Sequence, residues 1–253
     1  MVKLLPIALH DPNLAAAEDA IVLKHTKESR RTYLGMSSIG DPCSRRLWYS
    51  YHNHIEENYD AATIMRFEDG HRSEDLMAQR LKATDGISLV TSDDSGNQFE
   101  VQDFEEQFKG HLDGIIWGLI QAPNKEHVWE GKCVNEKKFK DFLDIKAKFG
   151  EKNTLAKWDE IYYAQAQAYM GYTEINRHYL TVCTPGGRRW EAVRTEFDQN
   201  EFDKIRDKAK RILNAKIPLA KLSNDPNWFQ CKWCNYWNRC HGNQTLSTRS
   251  NRL

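Results

Sequence analysis

The run His127-Val128-Trp129-Glu130-Gly131-Lys132-Cys133-Val134 is aromatic and β-branched, yet it carries a glutamate and a lysine two residues apart. That composition predicts a buried strand. Residues two apart on a strand share a face, so Glu130 and Lys132 converge on one point while Gly131 faces away. Asp113 lies in a second strand-like run, Phe108 to Trp117, which can pair alongside. The expected outcome is a carboxylate pair with an adjacent ammonium.

Such a group has a chemical use. Hard cations such as Mg²⁺ and Mn²⁺ take oxygen ligands and retain several waters, so two carboxylates plus substrate phosphate oxygens form a sufficient cage. A bound metal acidifies a coordinated water and stabilises charge building on phosphorus oxygens. Lys132 can orient or help deprotonate that water, or neutralise the developing charge as a compact point charge.

Gln165 and Tyr169 follow at i,i+4 in the helix-like stretch Trp158 to Tyr172 and therefore share a helix face. Upstream, Gly70 is followed by His71 and, at the fourth residue, by Glu74, in a segment with helical character up to Leu81.

Asp113, Glu130 and Lys132 resemble the signature of the PD-(D/E)XK nuclease superfamily in its D…ExK form. Gln165 and Tyr169 resemble the QxxxY element of its RecB-like and CRISPR-adaptation branches, where it lines the DNA-facing side of the site. In many RecB-like nucleases a metal-binding His stands four residues after a glycine, and phage-type exonucleases often carry Glu there. The resemblance thus implies Glu74 near the metal, with His71 the weaker candidate, and a main-chain carbonyl at Gly131 or Cys133 as a further ligand. The competing readings are a surface salt bridge for the ExK pair, an amphipathic helix with Tyr169 in the core, and an ordinary helix residue for His71.

Cys231, Cys234 and Cys240 place three thiols within ten residues. Four Cys are the usual complement of an iron–sulfur cluster or a structural Zn²⁺, and Cys43 is the natural fourth. This arrangement resembles the iron–sulfur nucleases of the same group, in which one Cys before the core and a C-x₂-C-x₅-C cluster after it clamp the two ends together. A [4Fe–4S] cluster is expected, with Zn²⁺ as the alternative. Disulfides are disfavoured, because Met1 to Ile7 is too short an apolar run for a signal peptide. Cys133 and Cys183 are expected to be buried, inert thiols.

The 253 residues are 40% hydrophobic and 28% charged, with zero formal net charge and no apolar stretch long enough for a membrane helix. A DNA-binding footprint must therefore be local. Lys137, Lys138, Lys140, Lys146 and Lys148 follow the ExK strand, Arg188 and Arg189 follow Pro185-Gly186-Gly187, and Arg45 and Arg46 flank Cys43. Arg45, Arg46 and Lys137 are the leading candidates, against solvated faces balanced by nearby acids. Trp228, Phe229, Trp233, Tyr236 and Trp237 crowd the thiols. Single-stranded DNA stacks on such rings, but packing around the metal clamp is the preferred reading.

The expected elements are helices at 44–51 and 61–84, strands near 88–91, 97–102, 106–119 and 127–134, a helix at 157–172, a hairpin at 178–195 and an amphipathic helix at 198–215. Together they predict one α/β domain over residues 1–242, with its core about 60–215. Its mixed central sheet, flanked by helices, resembles the restriction-endonuclease core and carries the Cys-clamped element. Residues 243–253 are expected to be a disordered tail.

The resulting expectation is a Mg²⁺- or Mn²⁺-dependent DNA exonuclease in the cytoplasm, or the host cytoplasm if phage-encoded. It acts in recombination or DNA processing, with a recombination partner protein or a second copy of itself as possible companions. The rivals are a catalytically silent nucleic-acid binder that keeps the metal clamp and a zinc-stabilised interaction protein.

Overall fold

The computed structural model describes residues 11–26, 31–52 and 59–242. The expected tail at 243–253 and the N-terminal run Met1 to Ile7 lie outside the described residues.

In chain order the elements are α1 (Pro12–Thr26), β1 (Leu34–Gly35), α2 (Ser44–Tyr51), α3 (Ala61–Lys82), β2 (Ser88–Val90), β3 (Glu100–Asp103), β4 (Phe108–His111), β5 (Gly114–Trp117) and β6 (His127–Cys133). Then come α4 (Glu136–Phe149), α5 (Glu151–Trp158), α6 (Glu160–Thr173), β7 (Arg177–Cys183), β8 (Trp190–Glu196), α7 (Gln199–Asn214), α8 (Phe229–Lys232) and α9 (Trp237–His241). Among the described residues no helix is long and apolar enough to cross a membrane.

Five strands form one sheet in the order β2-β5-β6-β7-β8, with β6 and β7 parallel and the other pairs antiparallel. A parallel neighbour requires a crossover, which α4, α5 and α6 supply. A second sheet, β1-β4-β3, stands apart. The expected mixed α/β architecture with flanking helices is present.

Both faces of the large sheet are covered. On one, Trp129 and Ile116 pack with Met77 and Leu81 of α3. On the other, Val128, Leu180 and Val193 pack with Ala166, Met170 and residues of α7. Burying each large apolar side chain contributes roughly 1.5–3 kcal/mol. That two-sided cover explains why β6 is buried at consecutive positions, His127 to Gly131, rather than at alternate ones.

Three expectations need correction. The run 106–119 is not one strand: β4 belongs to the small sheet and β5 to the large one, with buried Leu112 and Asp113 spanning the step. Leu112 still donates its N–H to Phe99 O, and its carbonyl accepts from Gln98, so the chain remains hydrogen-bonded through the transition. The helix expected from Lys157 breaks at Asp159, whose extended backbone (φ −151°, ψ 108°) ends α5 and whose carboxylate caps α6 through Ile161 and Tyr162 N–H. Helices α1 and α4 and most of α5 were not anticipated. Asn135 caps α4 through Lys138 N–H, and Gly150, at φ 76°, separates α4 from α5.

Candidate active site

Strand β5 runs antiparallel to β6 with Gly114 opposite Trp129. One step further along that register sets Asp113 beside Glu130, although Asp113 itself lies just outside β5. The Asp113 carboxylate is fixed by Gly131 N–H, which donates to Oδ2 at 2.9 Å.

Gly131 does more than separate Glu130 from Lys132. A Cβ at this position would stand 3.0 Å from Met77 Cε and 3.1 Å from Glu74 Cγ. Its absence lets α3 press against β6 and brings Glu74 to the strand. Lys132 Nζ then lies 3.9 Å from Glu74 Oε1, 3.8 Å from Asp113 Oδ2 and in a short ion pair with Glu130 Oε1. Three carboxylates, from α3, from the step before β5 and from β6, surround one ammonium.

Gln165 and Tyr169 approach from α6. Gln165 Nε2 donates to Glu130 Oε1 at 2.7 Å and to the Tyr169 hydroxyl at 3.2 Å. Both side chains are buried, and Gly110 on β4 makes room for the Tyr169 ring, which would collide with any Cβ there.

The electrostatics follow from crowding acids in a dry site. Burial, then repulsion from Asp113, pushes Glu130 up to about 8 despite the Lys132 ammonium. Burial and Asp113 likewise push Glu74 up to about 7. Burial alone pushes Lys132 down, but Glu130, Asp113 and Glu74 together outweigh it and hold the amine protonated. Burial and the Glu130 charge push the Tyr169 hydroxyl well up, so it stays neutral.

The donor set suits a hard divalent ion. Glu130 Oε2 is buried without a hydrogen-bond partner, a costly state for a carboxylate oxygen, and the cluster bears more negative than positive charge. Among the described residues no three His, Cys, Asp or Glu side chains stand close enough to share an ion. The ammonium of Lys132 draws the acids to itself.

Two clefts meet at this cluster. One, of about 600 Å³, runs between α1 and α3 and includes Lys24, Arg66, Phe67, Lys132, Cys133 and Tyr162. The other, of about 540 Å³, includes Lys82, Thr91, Gln98 and Asp113. Exposed His71 and half-buried Glu74 border both.

The four cysteines singled out from the sequence come together at a distance from this cluster. Cys43, Cys231, Cys234 and Cys240 line one cavity of about 460 Å³ with Trp158, Phe229 and Trp233. All four are free thiols, and burial pushes Cys231, Cys234 and Cys240 up. Thiolates are ligands for soft and borderline metals, but raised thiols keep their protons, and among the described residues no group of three or more such side chains is arranged to hold an ion. Cys133 and Cys183 stand in register on β6 and β7. Burial and Cys133 push buried Cys183 up to about 12, whereas Cys133 is half-buried and borders the cleft, contrary to the expectation that both are buried.

The proposed DNA-binding cations are not gathered at the carboxylates. Arg45 donates to Leu219 O and to the Tyr49 hydroxyl, Arg46 pairs with buried Asp41, and Lys137 is exposed at the start of α4. Its neighbour Lys138 is the better placed. Lys138 Nζ pairs with Asp159 at 2.6 Å and lies over the rings of Trp158 and Tyr162 at 5.1 and 4.6 Å. Tyr162 in turn lies 5.7 Å from Lys132 Nζ. Tyr162 stands at i−3 from Gln165, a spacing that could have pointed to it.

No family model matches the chain and no curated protein is similar to it. Among solved structures, the crystal structure of SSO0001 is 15% identical, covers 93% of this chain and 99% of that one, and superposes with a TM-score of 0.53. An alkaline exonuclease, LHK-Exo from Laribacter hongkongensis, is 15% identical over 77% of this chain and 90% of that one, with a TM-score of 0.49. A phage related exonuclease from Haemophilus somnus 129PT is 15% identical over 67% of this chain and 77% of that one, with a TM-score of 0.47. At 15% identity the likeness to SSO0001 is one of fold.

Proposed function

We propose that this chain is a divalent-metal-dependent deoxyribonuclease, acting as an exonuclease on DNA. The observation that supports this reading is the meeting of Asp113, Glu130 and Glu74 around Lys132, with the second oxygen of Glu130 lacking a partner. Excess buried carboxylate beside an open cleft is unfavourable unless a cation shares it.

Asp113 and Glu130 hold Mg²⁺ or Mn²⁺, Glu74 completes or orients the set, and His71 and the Cys133 carbonyl lie at its margin. When bound, the ion supplies a more acidic water and neutralises charge on the phosphate. Lys132, kept protonated by its acids, opposes the negative charge that develops on the phosphoryl oxygens rather than accepting a proton. Gln165 fixes the Glu130 carboxylate in place, and Tyr169, neutral and buried, fixes Gln165.

Cys43, Cys231, Cys234 and Cys240 hold a [4Fe–4S] cluster or Zn²⁺, joining α2 to the segment after α7 in one domain. A role in recombination or DNA processing in the cytoplasm, alone or with a partner protein, accords with that activity. The test is incubation of pure protein with end-labelled linear and circular DNA, with and without Mn²⁺. Metal-dependent shortening of linear DNA that spares circles supports the proposal; absence of cleavage from both refutes it.

A further inference from the structure

Cys133 and Cys183 are Cα partners on the parallel strands β6 and β7. Adjacent strands lie about 4.8 Å apart, inside the roughly 4.4–6.8 Å between Cα atoms that a disulfide spans. Alternation puts both side chains on the α3 face of the sheet, where they pack with Met77 and Trp129. The two differ in access. Cys183 is fully buried, whereas Cys133 is half-buried and borders the cleft of about 600 Å³ that also reaches Lys132 and Glu74.

This pair adjoins the carboxylate cluster from two sides. Cys133 directly follows Lys132 on β6. Buried Ser73, which acts on the Cys183 thiol together with Cys133 and Arg80, directly precedes Glu74 on α3. Neither sulfur has a part in the proposed phosphodiester chemistry, yet a shift of either one moves a neighbour of Lys132 or Glu74.

We propose that Cys133 and Cys183 form a modification site, in which hydrogen peroxide entering the cleft joins them as a disulfide that turns the carboxylate cluster off. The Cys133 sulfur attacks one peroxide oxygen and the O–O bond breaks. Sulfur becomes a sulfenic acid, and the thiol proton leaves with the other oxygen as water. Cys183, out of reach of solvent, is the resolving partner: its sulfur attacks that of Cys133, the S–O bond breaks, and hydroxide departs with the Cys183 proton as a second water. Each sulfur gives up one electron and the peroxide gains two. A thiol reductant reverses the bond by exchange.

Bonded sulfurs stand about 2.0 Å apart with a dihedral near 90°, so both side chains must turn and close up, and the Cys183 sulfur leaves its contact with Ser73. Misplacing a reacting group by about 1 Å can cost roughly 100-fold in rate. The inference rests on the nuclease reading for what is turned off, but not for the disulfide.

The test treats the full, reduced chain with hydrogen peroxide in EDTA, blocks remaining thiols with N-ethylmaleimide and maps the digested peptides by mass spectrometry. Cleavage of end-labelled linear DNA is then read in Mn²⁺, before and after dithiothreitol. A peptide pair linked through Cys133 and Cys183 is expected, with cleavage lowered roughly ten-fold or more and restored by dithiothreitol. Cys183→Ala should cut as the reduced wild type does and keep that rate after peroxide, and Cys183→Ser repeats the comparison with the side-chain volume preserved.

A peroxide-treated wild type without the 133–183 link overturns the site. A linked pair that leaves cleavage unchanged overturns the switch, as does an equal peroxide loss in the two Cys183 variants. A linked pair in a chain that cuts no DNA even when reduced supports the modification site and refutes the nuclease.

Discussion

Replacing Glu130 with Gln in metal-free protein should stabilise the fold, by an amount that depends steeply on pH. Oε1 of Glu130 accepts from both Lys132 and Gln165, while Oε2 has no hydrogen-bond partner. A glutamine can place its carbonyl oxygen at the first position, keeping both bonds, and its amide at the second, where no negative charge is left to desolvate. What disappears is the ionised form.

Burial and Asp113 raise the Glu130 carboxyl from 4.5 to about 8. A raised carboxyl keeps its proton in the folded chain after the unfolded chain has lost it, so the folded state binds more protons between about pH 4.5 and 8. Wild-type stability therefore falls as pH rises through that window and levels off above it. At about 1.4 kcal/mol per unit, the penalty grows from about 1 kcal/mol at pH 5 to about 5 kcal/mol at pH 9. Glu130→Gln lacks this penalty. Urea unfolding in EDTA, followed by circular dichroism, should show it gaining up to about 4 kcal/mol more at pH 9 than at pH 5. Adding Mn²⁺ should restore the wild type at pH 9 and leave the variant unmoved. Equal gains at the two pH values, or a variant weaker than wild type at pH 9, would show that Glu130 is not held in the strained, proton-retaining state described here.

Glu130→Ala and Lys132→Ala should each lower cleavage of linear DNA at least about 100-fold without changing the far-ultraviolet circular dichroism; wild-type turnover in either would remove these residues from the chemistry. Gly131→Ala forces a methyl against Met77 and Glu74, and overpacking of this kind costs about 1–3 kcal/mol. It should also displace Glu74 and lower activity at least ten-fold, measurable by chemical unfolding and by end-labelled substrate; a variant with unaltered stability would contradict the close approach of α3. Cys43→Ala should abolish bound iron or zinc by elemental analysis and lower the melting temperature, whereas full metal content in that variant would exclude Cys43 from the set.

Much of the candidate site could be read in the chain because its spacing is local. Glu130 and Lys132 share a face by strand alternation, and Gln165 with Tyr169 by helical periodicity. Glu74 and the four thiols followed from the family resemblance. The reading failed where geometry depends on contacts distant in sequence. Asp113 was placed in a strand because its neighbours are apolar, yet it occupies the step between two sheets. Arg45 and Arg46 were singled out as phosphate-binding cations from their spacing alone, whereas their partners, the Leu219 carbonyl, the Tyr49 hydroxyl and the Asp41 carboxylate, come together only in the fold. Lys138 was one of many lysines until Trp158 and Tyr162 came alongside it.

The strand bearing Glu130 and Lys132 and the helix bearing Gln165 and Tyr169 are written in the chain itself. These are periodicities and short spacings, legible wherever the backbone repeats. Tertiary packing alone closes α3 on Gly131 to deliver Glu74, crowds three acids around one amine so that two carboxyls rise, and lays Lys138 against the half-buried rings of Trp158 and Tyr162. Proton affinity and ring exposure depend on solvent exclusion, which is set by the assembled layers and not by any one segment.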